Sequence, residues 1–177
     1  MIIKNGCATL RAIEEKDFEL LFDMINSPEI EMQSGLGSYP LNSAEQREWM
    51  KNFHNNDKCL RLVVELTNGK SVGLVTLSNM NFRNGTAFLH YKVTTKTEDR
   101  IKGDMYDAVY GLLRYAFMSL RLNCIEGTIR PDNIMSLKLA KKLGFKEEGL
   151  MRKRIYSDGE YHDLIPISIL KEEFIKS

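Results

Sequence analysis

The sequence has few cysteines and no long apolar run, and these absences exclude several classes of protein. Its three cysteines, Cys7, Cys59 and Cys124, are far apart and form no C-x-x-C pair, which argues against a disulfide framework or a zinc site. No apolar stretch approaches the ~20 residues of a membrane span, and the first residues lack the apolar core and cleavage site of a signal peptide. We therefore expect no metal site, no membrane partner and a reducing cytoplasm as the compartment.

The sequence also lacks an excess of charge of either sign. It contains 25 Lys and Arg residues against 24 Asp and Glu residues, for a formal net charge of +1 at pH 7. Because a protein that binds nucleic acid usually needs a strong basic field, a nucleic-acid-binding module is the least favoured interpretation. With 177 residues, of which 43% are apolar, the chain is predicted to form a single domain over residues 1–177.

Apolar periodicity and turn residues predict an α+β fold with the element order β α α β β β α β α β β. The turns at Asn68-Gly69 and Asn84-Gly85 predict that the strands on either side of them form an antiparallel meander. The predicted helices are 14–26, 43–54, 104–120 and 133–143, and the predicted strands are 9–13, 60–66, 72–77, 86–94, 123–130 and two after residue 145.

Two boundaries of these helices follow from local signals. Ser27-Pro28 is predicted to end the first helix. Ser43 is predicted to be the N-cap of the second, with Gln46 at the spacing of a capping box. The segment 33–42 between them is rich in glycine and proline and is predicted to be an irregular loop.

The most informative stretch is 100–105, Arg-Ile-Lys-Gly-Asp-Met, which leads into the helix predicted to begin at Asp104. Backbone N–H groups and the macrodipole at a helix N-terminus favour an anion, and Gly103 allows the close approach that a side chain would obstruct. This pattern predicts a phosphate-binding turn. The same residues, taken alone, are also compatible with an ordinary solvated turn.

Two motifs resemble those of the GNAT superfamily of N-acetyltransferases. Arg100 and Gly103 match its coenzyme signature of Gln or Arg, two residues, Gly, one residue, and Gly or Ala. Asn133 and Ser136, followed by Lys-Leu-Gly-Phe at 142–145 and Glu-Gly at 148–149, match a second signature in spacing and order. The ending from Arg152 to Ile167 is similar to the RimJ/RimL branch, which acetylates the N-termini of ribosomal proteins.

The resemblance implies the GNAT fold, which has a mixed, mostly antiparallel sheet of about seven strands, four flanking helices and a splay between the fourth and fifth strands. It also implies that acetyl-coenzyme A binds in this splay as the co-substrate. The residues that would bind the coenzyme are Tyr91, Lys92, Val93, Arg100, Ile101, Lys102, Gly103, Asp104, Met105, Asn133 and Ser136. Tyr91, Lys92 and Val93, on the strand predicted over 86–94, would act through their main chain.

The resemblance places Ser136 near the departing sulfur, either as the acid that protonates it or as the anchor of a water molecule. The other interpretation is a helix-surface hydroxyl that bonds its own backbone. Asn133 would contact the pantetheine arm, and it is also a plausible N-cap of the helix that follows. Many members of the superfamily use a tyrosine at the position of Ala140 as the acid, so this chain must use another group.

The general base is predicted to be His90, whose usual pKa is about 6.5 and which stands on the strand that faces the acceptor in this fold. A histidine satisfied within the sheet is an equally good interpretation. His54 and His162 are expected to be exposed or structural. Three further candidates would act through a bridging water: Glu148, Tyr156 and Glu160.

The leading functional hypothesis is transfer of acetyl from acetyl-coenzyme A to a primary amine, by direct attack in a ternary complex. The acceptor is left open between a peptide N-terminus and a small-molecule amine. The segment 61–66 and Gly73-Leu-Val also look like polyamine acetyltransferases. Glu29, Glu31 and Glu45 near the irregular loop would suit a cationic amine, but a solvated loop is the preferred interpretation of these three residues. A catalytically degenerate coenzyme-binding sensor is a further alternative function. The chain is also a candidate to form a homodimer.

Overall fold

A computed structural model describes residues 2–34, 39–157 and 159–176 of the chain. These residues form nine strands and six α-helices, besides short 3-10 turns at Glu15–Asp17 and Thr97–Asp99. The strands are β1 Ile3–Asn5, β2 Ala8–Arg11, β3 Leu60–Leu66, β4 Ser71–Asn81, β5 Thr86–Val93, β6 Cys124–Ile129, β7 Lys146–Glu147, β8 Met151–Ser157 and β9 Glu160–Leu170. The helices are α1 Phe18–Ile25, α2 Pro28–Ser34, α3 Ser43–Asn52, α4 Asp104–Met118, α5 Ile134–Lys142 and α6 Lys171–Lys176.

The strands form one mixed sheet in the order β1-β2-β3-β4-β5-β6-β9-β7, and β8 pairs with β9. Every pair is antiparallel except β5 and β6, which run parallel because the crossover helix α4 connects them. The predicted α+β class and the antiparallel meander are therefore confirmed. No helix in the described ranges is long and apolar enough to cross a bilayer.

The splay between the fourth and fifth predicted strands is present as a gap between β5 and β6. These strands pair only over Thr86–Phe88 and Cys124–Glu126. Beyond Phe88, β5 keeps its antiparallel pairing with β4 as far as Val93, whereas β6 pairs with β9 as far as Ile129. The sheet therefore opens between the C-terminal halves of two neighbouring strands.

The helix α4 covers one face of the sheet and supplies much of the core. Val109, Leu112, Leu113, Ala116 and Phe117 are all completely buried, and they lie at the three- and four-residue spacing of one helical face. They pack against apolar side chains of β2, β3, β4 and β6, among them Leu10, Val64, Val75 and Ile125. Helix α4 is therefore rigidly held, and its N-terminus is fixed in space.

The structure differs from the predicted element order where elements are short or begin with proline. β1, β7 and α6 span three, two and six residues, too few for periodicity to reveal. Pro28 is not only a helix breaker, because it is the first residue of α2. At this position its missing N–H costs nothing. Ser27 Oγ accepts a hydrogen bond from Ile30 N. The predicted loop 33–42 is thus helical as far as Ser34, while Gly35 and Gly37 lie outside the described residues.

The predicted cap at Ser43 is wrong by one residue. Asn42 is the N-cap of α3, and its side chain accepts hydrogen bonds from the N–H groups of Ala44 and Glu45. Glu45 forms the reciprocal hydrogen bond, in which its Oε2 accepts from Asn42 N at 2.9 Å. The capping box is therefore Asn-x-x-Glu, and Asn is as good a cap as Ser.

A buried ion network ties the N-terminal segment to the sheet. Arg11 on β2 donates two hydrogen bonds to Asp17, at 2.7 and 2.8 Å, and a third to Glu65 on β3 at 2.8 Å. Burial by itself would raise the pKa of Asp17, but hydrogen bonds from Arg11 and Glu14 outweigh it and hold the pKa below its usual range. Hydrogen bonds from Arg11 and Lys16 likewise lower the pKa of Glu65.

Asp17→Asn is expected to lower the free energy of unfolding by about 3 kcal/mol at pH 7, because it leaves the buried Arg11 guanidinium without its main counter-charge. Since folding lowers the pKa of both carboxyls, their stabilisation is fully present above an unfolded-state pKa of about 4 and is lost as the pH falls through the folded-state pKa. Urea denaturation at several pH values measures both effects. The control is Asp23→Asn, whose exposed pair with Lys96 should contribute less than about 1 kcal/mol; equal losses for the two variants would contradict this interpretation.

Candidate active site

The turn before α4 has the geometry of an anion-binding site. Gly103 is the N-cap of α4 with φ +90°, and a Cβ placed on it would have no atom within 4 Å. The N–H groups of Ile101, Lys102 and Gly103 have no hydrogen-bond acceptor among the described residues. Three unpaired donors beside an open space at a helix N-terminus fit a phosphate or diphosphate group.

Arg100 takes a different part in this turn from the one that the motif suggests. Its Nε and Nη2 each donate to the Asp104 carboxylate at 2.8 Å, and the hydrogen bond to Asp104 raises the pKa of Arg100. Asp104 is buried at the first position of α4, where its charge would repel a phosphate if it were unpaired. Arg100 therefore neutralises the carboxylate and holds the turn in shape.

The bulky residues of the turn do not fill the open space. Met105 is buried in the core, and Ile101 packs partly against the same core. Lys102 is exposed. The side chains of Ile101 and Met105 therefore lie away from the side of the turn where Gly103 leaves room.

A cleft of about 380 Å³ lies where β5 and β6 separate. It is bordered by β5, by the start of α5 and by the buried Ala140 and Val109. The turn at 100–105 does not line the cleft, but the charge of Arg100 acts on the Tyr91 phenol inside it. The turn and the cleft are therefore close neighbours. The cleft brings together six of the predicted site residues: His90, Tyr91, Lys92, Val93, Asn133 and Ser136.

Two hydroxyl groups meet inside this cleft. Tyr91 Oη donates a hydrogen bond to Ser136 Oγ at 2.7 Å, although the two residues are 45 positions apart in the chain. Burial raises the pKa of Tyr91, and this outweighs the hydrogen bond to Ser136 and the charge of Arg100, which lower it. The phenol is therefore protonated at neutral pH, and its O–H group is directed at Ser136.

The helix that carries Ser136 is positioned by its N-cap. Asn133 Oδ1 accepts a hydrogen bond from Ser136 N at 3.1 Å, so Asn133 has the capping role that was one of its two interpretations. The cap and the hydroxyl pair fix the first turn of α5 against β5. Ala140, the position at which many members of the superfamily carry a tyrosine, lies one turn further along α5. It lines the same cleft as Tyr91 and Ser136.

The Tyr91 side chain was missed by reasoning from the sequence, which gave this residue a main-chain role only. A signal was available in the alternation of β5. Ala87 and Leu89 face the core, and Tyr91 shares their face. A phenol on a core-facing position needs a hydrogen-bond partner, and its partner is Ser136.

His90 lies on the opposite face of β5. Its Nε2 is 2.9 Å from Ser78 Oγ, and its ring packs against Phe88 with a centroid distance of 4.7 Å. Burial lowers the pKa of His90, and the charges of Arg61 and Lys92 lower it further. The imidazole is therefore neutral at pH 7 and able to accept a proton.

A second cavity, of about 430 Å³, lies on this face of the sheet against α1 and α3. It shares His90, Tyr91 and Lys92 with the cleft, so β5 forms a common wall between the two. We call it the acceptor cavity. A group bound in the cleft and a group bound in the acceptor cavity would meet across His90 and Tyr91.

The two remaining histidines and the three candidates for a base that acts through a water lie elsewhere. His54 and Glu160 are exposed, Tyr156 packs edge-on against Tyr161, and His162 lies 2.9 Å from Ser157 O through its Nε2. Glu148 accepts a hydrogen bond from Ser168. None of these side chains lines the cleft or the acceptor cavity. In the described part of the chain, no three His, Cys, Asp or Glu side chains converge in a way that would hold a metal ion.

Comparison with known proteins finds a family and several relatives that the chain resembles. A family model described as an acetyltransferase (GNAT) domain matches residues 8–146. An uncharacterized N-acetyltransferase from the SPbeta prophage of Bacillus subtilis is 30% identical, over 94% of this chain and 91% of its own length. A second B. subtilis protein, named as a candidate ribosomal N-acetyltransferase, is 29% identical over 96% of this chain and 94% of its own length.

The fold is also found among solved structures. Spermidine N-acetyltransferase from Vibrio cholerae, in complex with CoA and spermine, superposes with a TM-score of 0.84 at 26% identity. The superposition covers 97% of this chain and 99% of that one. The resemblance inferred from the two motifs is therefore confirmed over nearly the whole chain.

Proposed function

The chain belongs to the GNAT family of acetyltransferases, and we propose that it binds acetyl-coenzyme A in the cleft between β5 and β6 and acetylates a primary amine by direct attack. The observation that carries this proposal is the coincidence of two features. An anion-binding turn at 101–103 stands beside a cleft that contains a hydrogen-bonded Tyr91–Ser136 pair. The whole chain would act as one acetyltransferase domain.

The coenzyme, when bound, would supply an activated acetyl thioester and a sulfur that must be protonated as it leaves. The unpaired N–H groups of Ile101, Lys102 and Gly103 would hold its diphosphate. The main chain of β5 beyond Phe88 is not paired with β6, so it is free to bond the amides of an extended arm. Asn133 keeps the first turn of α5 in position, which places Ser136 at the edge of the cleft.

Ser136 would donate a proton to the leaving sulfur, and Tyr91 would replace that proton through their hydrogen bond. This arrangement gives a reason why the chain functions without a tyrosine at Ala140: the phenol comes from β5 instead of α5. Because burial raises the pKa of Tyr91, the phenol would keep its proton until the sulfur leaves.

His90 would take the proton from the attacking amine, because it is neutral at pH 7 and lines both cavities. Since the charged form of His90 cannot act as a base, its contribution is lost as the pH falls through its lowered pKa. Below this pKa the slope of log(kcat/KM) against pH should increase, as both the amine and His90 must then lose a proton. His90→Gln should abolish this steepening and lower kcat/KM by about 100-fold.

The control for the histidine is the coenzyme affinity of the same variant, which should stay within about threefold of the wild type, since His90 is not part of the 101–103 turn. Gln retains a group that can hydrogen-bond Ser78. A pH profile of His90→Gln that matches the wild-type profile would remove His90 from the reaction.

The acceptor is either a small amine or a peptide N-terminus. The relationship to a candidate ribosomal N-acetyltransferase and the RimJ/RimL-like ending favour a peptide N-terminus. The solved spermidine N-acetyltransferase favours a polyamine. A reducing cytoplasm is the proposed compartment, since all three cysteines are free; a homodimer stays a prediction.

The test of this function is thiol release from acetyl-coenzyme A in the presence of a panel of amines and N-terminal peptides. We expect release that depends on both the chain and an amine. Coenzyme binding without release under any acceptor would favour the degenerate sensor, and the absence of binding would contradict the proposal.

A further inference from the structure

The floor of the acceptor cavity is a row of side chains that crosses three strands. In the register of the sheet, Arg61 on β3 pairs with Thr76 on β4, and Thr76 pairs with His90 on β5. Lys92 follows two positions after His90 and pairs with Leu74. Because side chains two residues apart share a face of a strand, all of these side chains point into the same cavity.

The charge in this cavity is positive. Its lining includes Arg61, His90 and Lys92 but no aspartate or glutamate among the described residues. Neither Arg61 nor Lys92 forms an ion pair within the described ranges. An opposing charge, that of Glu31 on α2, acts on Lys92 and raises its pKa against the effect of burial. Burial lowers the pKa of both His90 and Lys92, and the charge of Arg61 lowers both pKa values further.

Arg61 is held in place by aromatic rings. Its guanidinium carbon lies 5.3 Å from the centroid of Trp49 and 5.0 Å from that of Phe53. This stacking orients the guanidinium while leaving its N–H groups without a carboxylate. The rest of the cavity wall is apolar and comes from α1 and α3, including Leu21, Met24 and Trp49.

The acidic residues that would suit a polycation are not in this cavity. Glu45 is exposed and bonded to Asn42 N as part of the helix cap, and Glu29 is exposed on α2. Neither of them, nor Glu31, lines the acceptor cavity. A spermidine-like acceptor would bring positive charges towards Arg61 and Lys92, and the repulsion between these like charges would weaken its binding.

We propose that the acceptor cavity is built for a primary amine that also carries a carboxylate and an apolar or aromatic body. The carboxylate would be bound by Arg61, with Lys92 adding to the attraction, and the apolar body would pack against Trp49 and Leu21. The amine would then lie against His90, at the wall shared with the cleft. This inference rests on the proposed function and names the substrate class of its acceptor.

The chemistry balances with the groups already described. The amine nitrogen forms a bond to the acetyl carbon as the carbon–sulfur bond breaks. One proton leaves the nitrogen through His90, and one reaches the sulfur from Ser136, so the products are an amide and a thiol. No oxidant, reductant or metal is required.

The test compares amines that differ only in the carboxylate. The first pair is 4-(2-aminoethyl)benzoate and 2-phenylethylamine, and the second is phenylalanine and phenylalaninamide, which also stands in for a peptide N-terminus. We expect kcat/KM to favour the carboxylate member of at least one pair by about 10- to 100-fold, the range for a charged hydrogen bond in a partly enclosed site. Spermidine should be a poorer acceptor than that preferred amine.

Arg61→Met should remove this preference, because it keeps the length of the side chain and its contact with Trp49 but loses the charge. The matched control is Arg83→Met, which changes the same residue type at an exposed position in the turn between β4 and β5. It should leave the preference intact. Thermal melting of both variants checks that they are folded.

A binding measurement decides the inference even if turnover is absent. Calorimetric titration of the same amines into the chain saturated with coenzyme A should give the same ranking, and the ranking should disappear in Arg61→Met. If neither carboxylate-bearing amine exceeds its uncharged partner, or if spermidine matches or exceeds the preferred carboxylate-bearing amine, the inference is overturned while acetyl transfer stands. If no amine releases thiol, the proposed function fails, and the calorimetric ranking still determines whether the cavity selects an anionic amine.

Discussion

Gly103→Asp is expected to weaken the binding of acetyl-coenzyme A by about 100-fold, whereas Gly103→Asn should weaken it by less than about 10-fold. Asp and Asn have nearly the same shape, and both tolerate the left-handed conformation that Gly103 adopts at φ +90°. A Cβ at this position meets no atom within 4 Å, so both side chains have room, and the strain of the left-handed backbone is shared by the two variants. The two variants therefore differ mainly in a negative charge that would lie next to the diphosphate.

Isothermal titration calorimetry of the two variants measures this difference directly. Raising the salt concentration should narrow the gap, since the repulsion is partly screened. Thermal melting without coenzyme should be similar for both variants. Equal affinities for Gly103→Asp and Gly103→Asn would show that no phosphate lies at the start of α4.

The second large effect is expected at the hydroxyl pair. Tyr91→Phe and Ser136→Ala should each lower kcat by about 100-fold, because each interrupts the same path of proton delivery to the sulfur. The double variant should lose little more than either single variant, since groups that act as a unit are not additive. Coenzyme affinity should stay within about threefold of the wild type in all three.

The kinetic test uses steady-state rates and coenzyme titrations of the four proteins, with Tyr115→Phe as the control. Tyr115 lies on α4 and lines neither cavity, so its variant should retain normal kcat. Because the pKa of Tyr91 is raised from about 10, the wild-type rate should not decline through ionisation of this phenol below pH 10. Wild-type kcat in Tyr91→Phe would show that the phenol does not supply the proton, and additive losses in the double variant would show that the two hydroxyls act separately.

The site was predictable from the sequence where it depends on local signals. Gly103 at the start of a long amphipathic helix marks the turn whose N–H groups are unpaired, because helix N-termini and glycine conformations are properties of a few neighbouring residues. Asn133 and Ser136 were placed together for the same reason, since a cap and its third residue lie within one helical turn. The pairing of Arg100 with Asp104 was not predicted, because both side chains could equally have faced solvent.

The features that were missed depend on contacts between distant segments. Tyr91 and Ser136 meet only because β5 and α5 pack on the same cleft. The basic row of Arg61, His90 and Lys92 exists because β3, β4 and β5 adopt one particular register, and a shift by a single residue would turn Arg61 to the other face. Alternation along one strand shows which residues share a face, but it cannot show which residues of the next strand stand beside them.

The same distinction holds for the fold. The long elements, β3 and α4, begin within a residue of their predicted starts because their apolar patterns are strong. The helix that begins at Pro28 was missed because its seven residues carry no clear apolar stripe and a proline was taken to be a breaker. Proline at the first position of a helix is favourable, and Ser27 before it is a suitable cap.

The most direct test of the account is the exchange of backbone amide protons at the start of α4, measured by residue-resolved NMR with and without acetyl-coenzyme A. The N–H groups of Ile101, Lys102 and Gly103, which have no acceptor in the described part of the free chain, should exchange much more slowly once the coenzyme is bound. Exchange in α6, far along the chain, should stay the same. Unchanged exchange at residues 101–103 under saturating coenzyme would contradict the central claim that these three groups grip the diphosphate.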